Sequence, residues 1–320
     1  MSGHVDFGVF ISSERRSFDE ILSDALLCEK LGYHSIWLSD HVIGMYANPG
    51  DSRFECWTTL SSLAGATRRI RLGQLVLCTP FRHPPLLAKE SATLDAISGG
   101  RLELGLGTGW HEPEFKAYGY PFEKPSTRVR RLDEAAAIIK KMWTEESPSF
   151  KGRYYSIEEA YCAPKPVQKP HPPLLIGGGG EQLLLGTVAR HADVCNFMAW
   201  RGSPEDYRRK RETLERHCQR IGRNPAEIRS SWAAYVLIKK ERGKAEEAIK
   251  RYVERMAKAG GSTPERLTPP IAGSPTECVA QIRRYVDVGV SLFILRFVGD
   301  DFRAETKAFA EEVAPTFSRK

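Results

Sequence analysis

Strand-like and helix-like segments alternate along the whole chain, and this alternation most restricts what the chain can fold into. Short apolar segments are followed by segments with helical spacing of their apolar residues, and eight such pairs occur. Strands followed by helices form parallel βαβ units. Eight units in 320 residues predict an α/β fold of the (β/α)8 TIM barrel type, with insertions, rather than an open sheet.

The predicted elements run from one end of the sequence to the other. The strands are expected at Val5–Phe10, Ser35–Leu38, Ile70–Leu77, Arg101–Leu106, Pro173–Ile176, Ala192–Phe197, Ile228–Ile238 and Leu292–Phe297. The helices are expected at Phe18–Leu31, Trp57–Thr67, Pro84–Ile97, Val129–Trp143, Glu181–His191, Pro204–Ile221, Lys244–Ala259, Pro275–Val288 and Ala304–Thr316. We expect one domain over residues 1–320.

Two stretches depart from the alternation and are expected to be insertions in the barrel. The first, near residues 145–165, contains a predicted hairpin at Ser149–Ile157. The second, near residues 240–272, ends in a stretch rich in Gly and Pro, Gly260–Gly273, which is typical of a linker.

The composition excludes several classes of protein. Hydrophobic residues make up 41% of the chain, so disorder is not expected, and no apolar run approaches the roughly 20 residues that span a membrane. The net charge is +7, but basic residues alternate with acidic ones, as in 208–220. That pattern favours a solvated helix face over nucleic-acid binding. A modest positive field also suits an anionic ligand.

The cysteines and the N-terminus indicate a cytoplasmic protein. Seven cysteines are scattered with no Cys-x-x-Cys pair, which is typical of reduced thiols. The first ten residues lack the features of a signal peptide. Metal catalysis is not expected either, because the stretch after the first strand reads GVFISS, without the His-x-His of metal-dependent barrel hydrolases.

Barrel enzymes carry their working residues at the C-terminal ends of the strands, and this rule selects a short set of candidates. They are Ile11, Ser12, Ser39–His41, Cys78, Thr79, Phe81–His83, Gly107–Glu112, Gly177–Gly180, Met198–Arg201, Gly299 and Asp300. Asp40 and His41 follow the second strand, where a histidine suits proton transfer near neutral pH. Away from such a position, an Asp-His pair is more often a capped turn.

A run of four glycines, Gly177, Gly178, Gly179 and Gly180, follows the fifth strand and precedes a predicted helix. Backbone amides there can approach a ligand closely, and a helix N-terminus attracts a phosphate. A flexible turn is the plainer alternative, although four glycines exceed what a turn needs.

Large aromatic side chains also gather near the strand ends. They are Trp37, Phe81, Trp110, Phe197 and Trp200. Such residues either pack the loops or cover a planar ring such as a flavin, and the sequence leaves both interpretations open.

Several stretches together resemble a known family, the luciferase-like monooxygenases, whose members use a flavin or a deazaflavin. The matching stretches are EKLGYHSIWLSDHV (29–42), the block from WTTLSSLAGA to GWHEPEF (57–115), RRLDEAAAIIKKMW (130–143), PPLLIGGGGE (172–181) and AGSPTECVAQIRRYVDVGVSLFIL (272–295). They span nearly the whole chain in a specific order. The resemblance implies a (β/α)8 barrel whose mouth is open to a flavin-type ring.

Within this family the chain most resembles the branch that uses the deazaflavin coenzyme F420. The resemblance implies that Asp40 and His41 lie beside the reactive face of the ring. It also implies a non-proline cis peptide at Leu75-Val76, supporting the central ring from behind. Thr108 matches a residue near the cofactor, and Gly178 and Gly179 match the turn that binds the cofactor phosphate.

One departure from the branch concerns the substrate. Members that oxidise sugar phosphates have a glutamate where this chain has Trp110, although Glu112 is nearby. This argues against a sugar phosphate and leaves the small-molecule substrate open. We expect Trp110, Glu112 and Trp200 to line the substrate pocket.

The resemblance therefore implies an oxidoreductase in which coenzyme F420 exchanges a hydride with a small organic substrate. His41 is expected to handle the proton, and Asp40 to hold polar groups of the site. One alternative is an FMN-dependent monooxygenase that takes reduced flavin from a partner reductase and activates O2. A second alternative is a flavin-binding protein without turnover. A homodimer is also expected.

Overall fold

The computed structural model describes residues 4–45, 48–197, 202–258 and 267–318. Its strands are β1 (Asp6–Phe10), β2 (Ser35–Leu38), β3 (Arg71–Gln74), β4 (Leu77–Cys78), β5 (Leu102–Gly107), β6 (Phe150–Lys151), β7 (Ser156–Ile157), β8 (Leu174–Gly177), β9 (Val194–Asn196), β10 (Arg229–Ile238), β11 (Ile271–Gly273) and β12 (Leu292–Phe297).

The helices lie between these strands, and the sequence predicts all of them except the short helix Glu112–Ala117. They are α1 (Phe18–Lys30), α2 (Cys56–Ala66), α3 (Pro84–Ser98), α4 (Glu112–Ala117), α5 (Pro125–Thr144), α6 (Leu184–His191), α7 (Pro204–Arg220), α8 (Arg242–Lys258), α9 (Pro275–Val286) and α10 (Phe302–Glu312). Local signals fix several ends. Ser17 and Glu20 form a capping box before α1, and Gly99 ends α3 with a φ of 69°.

The sheet closes on itself, which confirms the predicted barrel. Parallel pairing runs from β12 through β1, β2, β3, β5 and β8 to β9. β10 then pairs with both β9 and β12 and completes the circle. β4 continues the third barrel position and pairs with β5. The short strands β6 and β7 form the predicted hairpin outside the barrel.

The third barrel position holds a feature that the family resemblance implies. The single predicted strand is divided into β3 and β4, and the Leu75-Val76 peptide between them is cis. The expected geometry of this peptide is therefore confirmed.

Several predicted boundaries differ from the structure, and two of them concern segments discussed below. The linker expected over Gly260–Gly273 ends earlier, because Ile271–Gly273 forms β11 against the end of β10. β10 is ten residues long, so its last residues offer hydrogen-bonding groups beyond those that its barrel neighbours use. The helix expected from Glu181 begins only at Leu184, after a turn.

A tryptophan fills the barrel interior. Trp37 is fully buried on β2, and its Nε1 donates a hydrogen bond of 2.8 Å to Ser35 Oγ. The strands on either side carry glycines beside it, Gly8 on β1 and Gly73 on β3. A Cβ at Gly8 would lie 2.6 Å from Trp37 Nε1, and a Cβ at Gly73 would overlap the indole ring. The indole therefore occupies space that these two glycines leave empty.

Gly73→Ala should therefore destabilise the fold, because the new Cβ must displace a packed indole. We expect a loss of about 1–3 kcal/mol in the free energy of unfolding, measured by urea titration. Gly65→Ala is the matched control, since Gly65 is exposed on α2 and a Cβ there meets nothing within 4 Å. It should stabilise the protein by about 0.5–1 kcal/mol. Equal changes in the free energy of unfolding for Gly73→Ala and Gly65→Ala would contradict the role of Gly73 in making room for the indole.

Candidate active site

A cavity of about 330 Å³ opens at the C-terminal ends of the barrel strands. This volume lies at the lower end of the range for ligand pockets. The lining residues are Phe10, Ser12, Ser39, Asp40, His41, Met45, Arg53, Leu75, Val76, Cys78, Gly109, Trp110, Glu114, Phe115, Tyr235 and Arg296. The predicted site residues Asp40, His41, Leu75, Val76 and Trp110 are thus brought together around one space.

His41 is held by a carboxylate that lies far away in the sequence. Its Nδ1 is 2.8 Å from Glu114 Oε2, and the side chain of Glu114 is only 3% exposed. The other oxygen, Oε1, accepts hydrogen bonds from the backbone amides of Val42 at 2.8 Å and Ile43 at 3.4 Å. Glu114 thereby fixes both the imidazole and the backbone that follows it.

The protonation state of Glu114 follows from these contacts. Burial alone would raise the pKa of Glu114, but the hydrogen bond and the charge interaction with His41, together with the Val42 and Ile43 amides, lower it below its usual value. An ionised carboxylate only accepts hydrogen bonds, so Nδ1 of His41 carries the hydrogen. Nε2 is then the ring nitrogen that remains for exchange of a proton in the cavity.

Asp40 has a different partner from its neighbour. Arg82 contacts both of its carboxylate oxygens, at 2.5 Å and 2.9 Å, and the amide of Cys78 donates to Oδ2 at 2.7 Å. Arg82 also binds Glu55, the N-cap residue of α2, at 2.7 Å. Asp40 thus connects the loop after β2 with the end of β4 and the loop that follows it, and its side chain is 1% exposed.

A second buried ion pair supports the wall beside Asp40. The guanidinium of Arg53 contacts Glu14 and donates a hydrogen bond of 3.1 Å to Ser39 Oγ. Glu14 in turn accepts a hydrogen bond of 3.0 Å from the amide of Met45. Because Arg53, Ser39 and Met45 all line the cavity, this pair sets the shape of that wall.

One side of the cavity is an apolar shelf. Leu75 and Val76 line it at the cis peptide, and Val76 stands against glycines of β5. A Cβ at Gly107 would overlap Val76 Cγ2, whereas a Cβ at Gly105 would overlap the backbone carbonyl of Gln74. Gly107 therefore makes the room in which Val76 stands.

The cysteine in the cavity wall does not supply a nucleophile. Burial raises the pKa of Cys78 far above its usual value, and the nearby carboxylates of Asp40 and Glu114 add to the effect. The thiol is therefore neutral. Within the described ranges, no group of three or more His, Cys, Asp or Glu side chains is arranged to hold a metal ion. No helix in the described part of the chain is long and apolar enough to cross a bilayer.

Several predicted site residues lie away from this cavity. Glu112 is exposed at the start of α4, and the acid that lines the cavity is Glu114, two residues further on. Thr108 directly follows β5 and is not among the lining residues. Trp200 lies outside the described residues. Trp110 is 64% exposed at the rim, with its ring 5.8 Å from that of His41.

The glycine run is not among the lining residues either. Several of its backbone groups form hydrogen bonds with other parts of the protein. The amide of Gly178 donates to the carbonyl of Asn196 at 2.9 Å, and Gly178 has a φ of 140°. The carbonyl of Gly179 accepts a hydrogen bond of 2.6 Å from Lys210 Nζ on α7. Gly180 accepts from the amide of Leu185 at 3.0 Å. The role of the run as a phosphate site stays a prediction.

The sequence analysis missed Glu114, Arg53, Tyr235 and Arg296. Tyr235 and Arg296 lie within β10 and β12, so a search restricted to residues after each strand passes over them. A sequence signal for them was available. Side chains two residues apart on a strand share a face, so Tyr235 and Arg296 lie on the same face as buried interior residues of their strands. Glu114 is separated from His41 by 73 residues and lies on a short helix, so no local pattern connects the two.

Comparisons with known proteins identify one family. The family model described as luciferase-like monooxygenase matches residues 5–292. An F420-dependent glucose-6-phosphate dehydrogenase of Microbacterium testaceum is 28% identical, covering 98% of both chains. An FMNH2-dependent dimethylsulfone monooxygenase of Pseudomonas putida is 27% identical over 83% of this chain and 79% of its own.

A solved structure shows the same fold at lower identity. It is an F420-dependent secondary alcohol dehydrogenase in complex with an F420-acetone adduct, with a TM-score of 0.84 and 19% identity. The match covers 99% of this chain and 100% of that one. At this identity it supports the barrel architecture alone.

Glu114→Gln should lower stability at neutral pH by about 1–3 kcal/mol, because a charge-assisted hydrogen bond in a buried site is lost. The pKa of Glu114 is lowered by folding, so its contribution is complete above the unfolded-state pKa and is lost as the pH falls through the folded-state value. Urea unfolding across the acid range should therefore show the two proteins converging at low pH.

Glu112→Gln is the control for this prediction, since Glu112 is an exposed glutamate on the same helix. It should change the free energy of unfolding by no more than about 0.5 kcal/mol. If the difference in the free energy of unfolding between the parent and Glu114→Gln grew as the pH fell, the assignment of an ionised Glu114 bound to His41 would be contradicted.

Proposed function

The chain belongs to the luciferase-like monooxygenase family, and on that premise we propose that it is an oxidoreductase in which coenzyme F420 exchanges a hydride with a small organic substrate. The observation that carries the proposal is the His41–Glu114 pair beside the apolar shelf at the barrel mouth. A similar protein covered over nearly its whole length, the enzyme of Microbacterium testaceum, is named as F420-dependent. This likeness favours the deazaflavin.

The residues of the cavity suit a planar tricyclic ring. Leu75 and Val76 provide an apolar surface for one face, and Ser12 and Ser39, which also line the cavity, offer hydroxyls for polar atoms at the edge of a ring. When bound, coenzyme F420 supplies a carbon that accepts or releases a hydride. The protein's part is to hold the reactants, exclude water and move the accompanying proton.

In this proposal the proton belongs to His41. Glu114 fixes Nδ1 as a donor, so Nε2 takes up a proton when a substrate alcohol is oxidised and returns it when a carbonyl is reduced. Asp40 is a positioning residue, since Arg82 and the Cys78 amide engage its carboxylate. Asp40 holds the loop on which His41 lies.

A second candidate function rests on the relative from Pseudomonas putida, whose name describes a monooxygenase dependent on reduced FMN. The apolar shelf suits an isoalloxazine ring equally well. This candidate requires a partner reductase and O2, which the deazaflavin reaction does not. A flavin-binding protein without turnover would bind the cofactor ring, but no substrate would reduce or reoxidise it.

Titration of the purified protein with coenzyme F420 and with FMN tests the proposal. Quenching of cofactor fluorescence should give an affinity for coenzyme F420 at least about tenfold higher than that for FMN. A screen of alcohols and carbonyl compounds should then show reduction or reoxidation of the bound deazaflavin. Preferential binding of reduced FMN, with consumption of O2, would instead establish the monooxygenase.

His41→Gln should lower the rate of hydride transfer about 10²–10⁴-fold, because it removes the group that moves the proton. Cofactor affinity should stay within about threefold of the parent value, since the shelf at Leu75-Val76 is untouched. Single-turnover kinetics and fluorescence titration measure the two quantities separately. Loss of cofactor binding with a normal rate at saturation would make His41 a binding residue.

Gly179→Val tests the phosphate turn. If amides of the glycine run hold the cofactor phosphate, a branched side chain should weaken FMN binding about tenfold or more, because it blocks close approach of the ligand. Riboflavin lacks the phosphate and is the control ligand, so its affinity should not change. Gly179 is the position to use, because its φ is not in the left-handed region and a Cβ there would be close only to the end of the Lys210 side chain, at 2.9 Å, whereas Gly178 has a φ of 140° and a Cβ there would overlap Leu184. Equal losses of affinity for FMN and riboflavin would contradict the assignment of the glycine run to the cofactor phosphate.

A further inference from the structure

A tryptophan with most of its surface exposed lies at the mouth of the cavity, beside His41. Trp110 is 64% exposed and lines the same cavity as His41. The centres of the two rings are 5.8 Å apart, and the ring planes are nearly perpendicular, at 84°. An aromatic side chain of this size buries about 150–250 Å² when it is fully covered. A large apolar surface therefore lies next to the group to which we assign the proton.

The turn that carries this indole depends on a glycine. Gly109 precedes Trp110 with a φ of 71°, a conformation that glycine adopts without strain. A Cβ at Gly109 would lie 2.6 Å from Cys78 Sγ and 2.6 Å from the ring of Phe115. The ring of His111, the residue after Trp110, lies 5.2 Å from the indole. The turn and these ring contacts place the indole at the mouth while most of its surface stays uncovered.

Other apolar side chains accompany Trp110 in the cavity wall. Phe115 and Met45 line the same space. The unbranched thioether of a methionine adapts to the shape of a ligand, and sulfur makes favourable contacts with aromatic rings. The shelf at Leu75-Val76 is assigned to the cofactor ring, so Met45, Trp110 and Phe115 are apolar lining residues that a substrate can contact.

We propose that Trp110 binds an aromatic group of the substrate beside the reacting carbon, so that the cavity takes aryl-substituted alcohols and carbonyl compounds. A substrate oxygen that is hydrogen-bonded to Nε2 of His41 lies about 3 Å from that atom, and the indole adjoins the same imidazole. A ring on the reacting carbon then covers the indole and removes apolar surface of both partners from water. The inference rests on the proposed function, because it uses His41 as the group beside the reacting carbon. It adds the class of substrate.

Two matched pairs of alcohols test the proposal on the protein loaded with the reduced cofactor. Isopropanol and 1-phenylethanol differ in a methyl or phenyl group, and lactate and mandelate differ in the same way but carry a carboxylate. The reduced cofactor cannot accept a hydride from an alcohol, so calorimetry measures binding without turnover. The phenyl member of each pair should bind about 10–100-fold more tightly than the methyl member, because its ring covers the indole.

Trp110→Ala should reduce this preference to about threefold or less, whereas Trp110→Phe should keep most of it because a ring remains. In turnover with the oxidised cofactor, Trp110→Ala should raise KM for the phenyl compounds and leave KM for the methyl compounds nearly unchanged. Tyr161→Ala is the matched control, since Tyr161 is an aromatic residue that is 69% exposed and is not among the described lining residues. It should bind all four compounds as the parent does.

Two outcomes would overturn the inference. One is equal affinity for isopropanol and 1-phenylethanol, or a preference for the phenyl group that persists in Trp110→Ala. The other is a preference for the carboxylate that exceeds the preference for the phenyl group, because the recognised group would then be the anion. If neither coenzyme F420 nor FMN binds the parent protein, the proposed function fails, and the same titrations without cofactor still decide the role of Trp110.

Discussion

The packing of one indole inside the barrel determines where a ligand can bind. Trp37 occupies the interior because Gly8 and Gly73 leave room for it on the flanking strands. Apolar side chains such as Leu175 and Ile294 fill the same interior cluster. Closely packed interiors admit no ligand, so the open space is at the C-terminal mouth, where the strands end and the loops begin.

The loops of that mouth are held by buried charges that cross large distances in the sequence. Asp40 meets Arg82, Glu14 meets Arg53, and Glu114 meets His41. A whole pair of this kind adds little net stability relative to apolar side chains, because removing charges from water costs about as much as their attraction returns, whereas loss of one partner leaves the other buried and unpaired. Their contribution is geometric, since a carboxylate with two fixed oxygens allows few arrangements of the loops it joins. The cavity wall is therefore set before any ligand arrives.

The barrel could be predicted from the sequence because each strand and helix carries its own signal, the period of its apolar residues. The extent of β11 could not, since three residues rich in small side chains look like the linker before them and become a strand only against the end of β10. The same limit applies to the site. The position of His41 after β2 is a local property, whereas its carboxylate partner depends on how α4 folds back over the mouth.

Asp40 and His41 are adjacent in the sequence but have different roles. Asp40 contacts Arg82, whereas His41 contacts Glu114. Arg82 binds both carboxylate oxygens of Asp40 and the Cys78 amide binds one of them, so this side chain acts as a fixed support. An imidazole bound on one nitrogen keeps the second for exchange, and the carboxylate behind it compensates the charge that a proton brings. The division of roles between the two residues thus follows from their different partners.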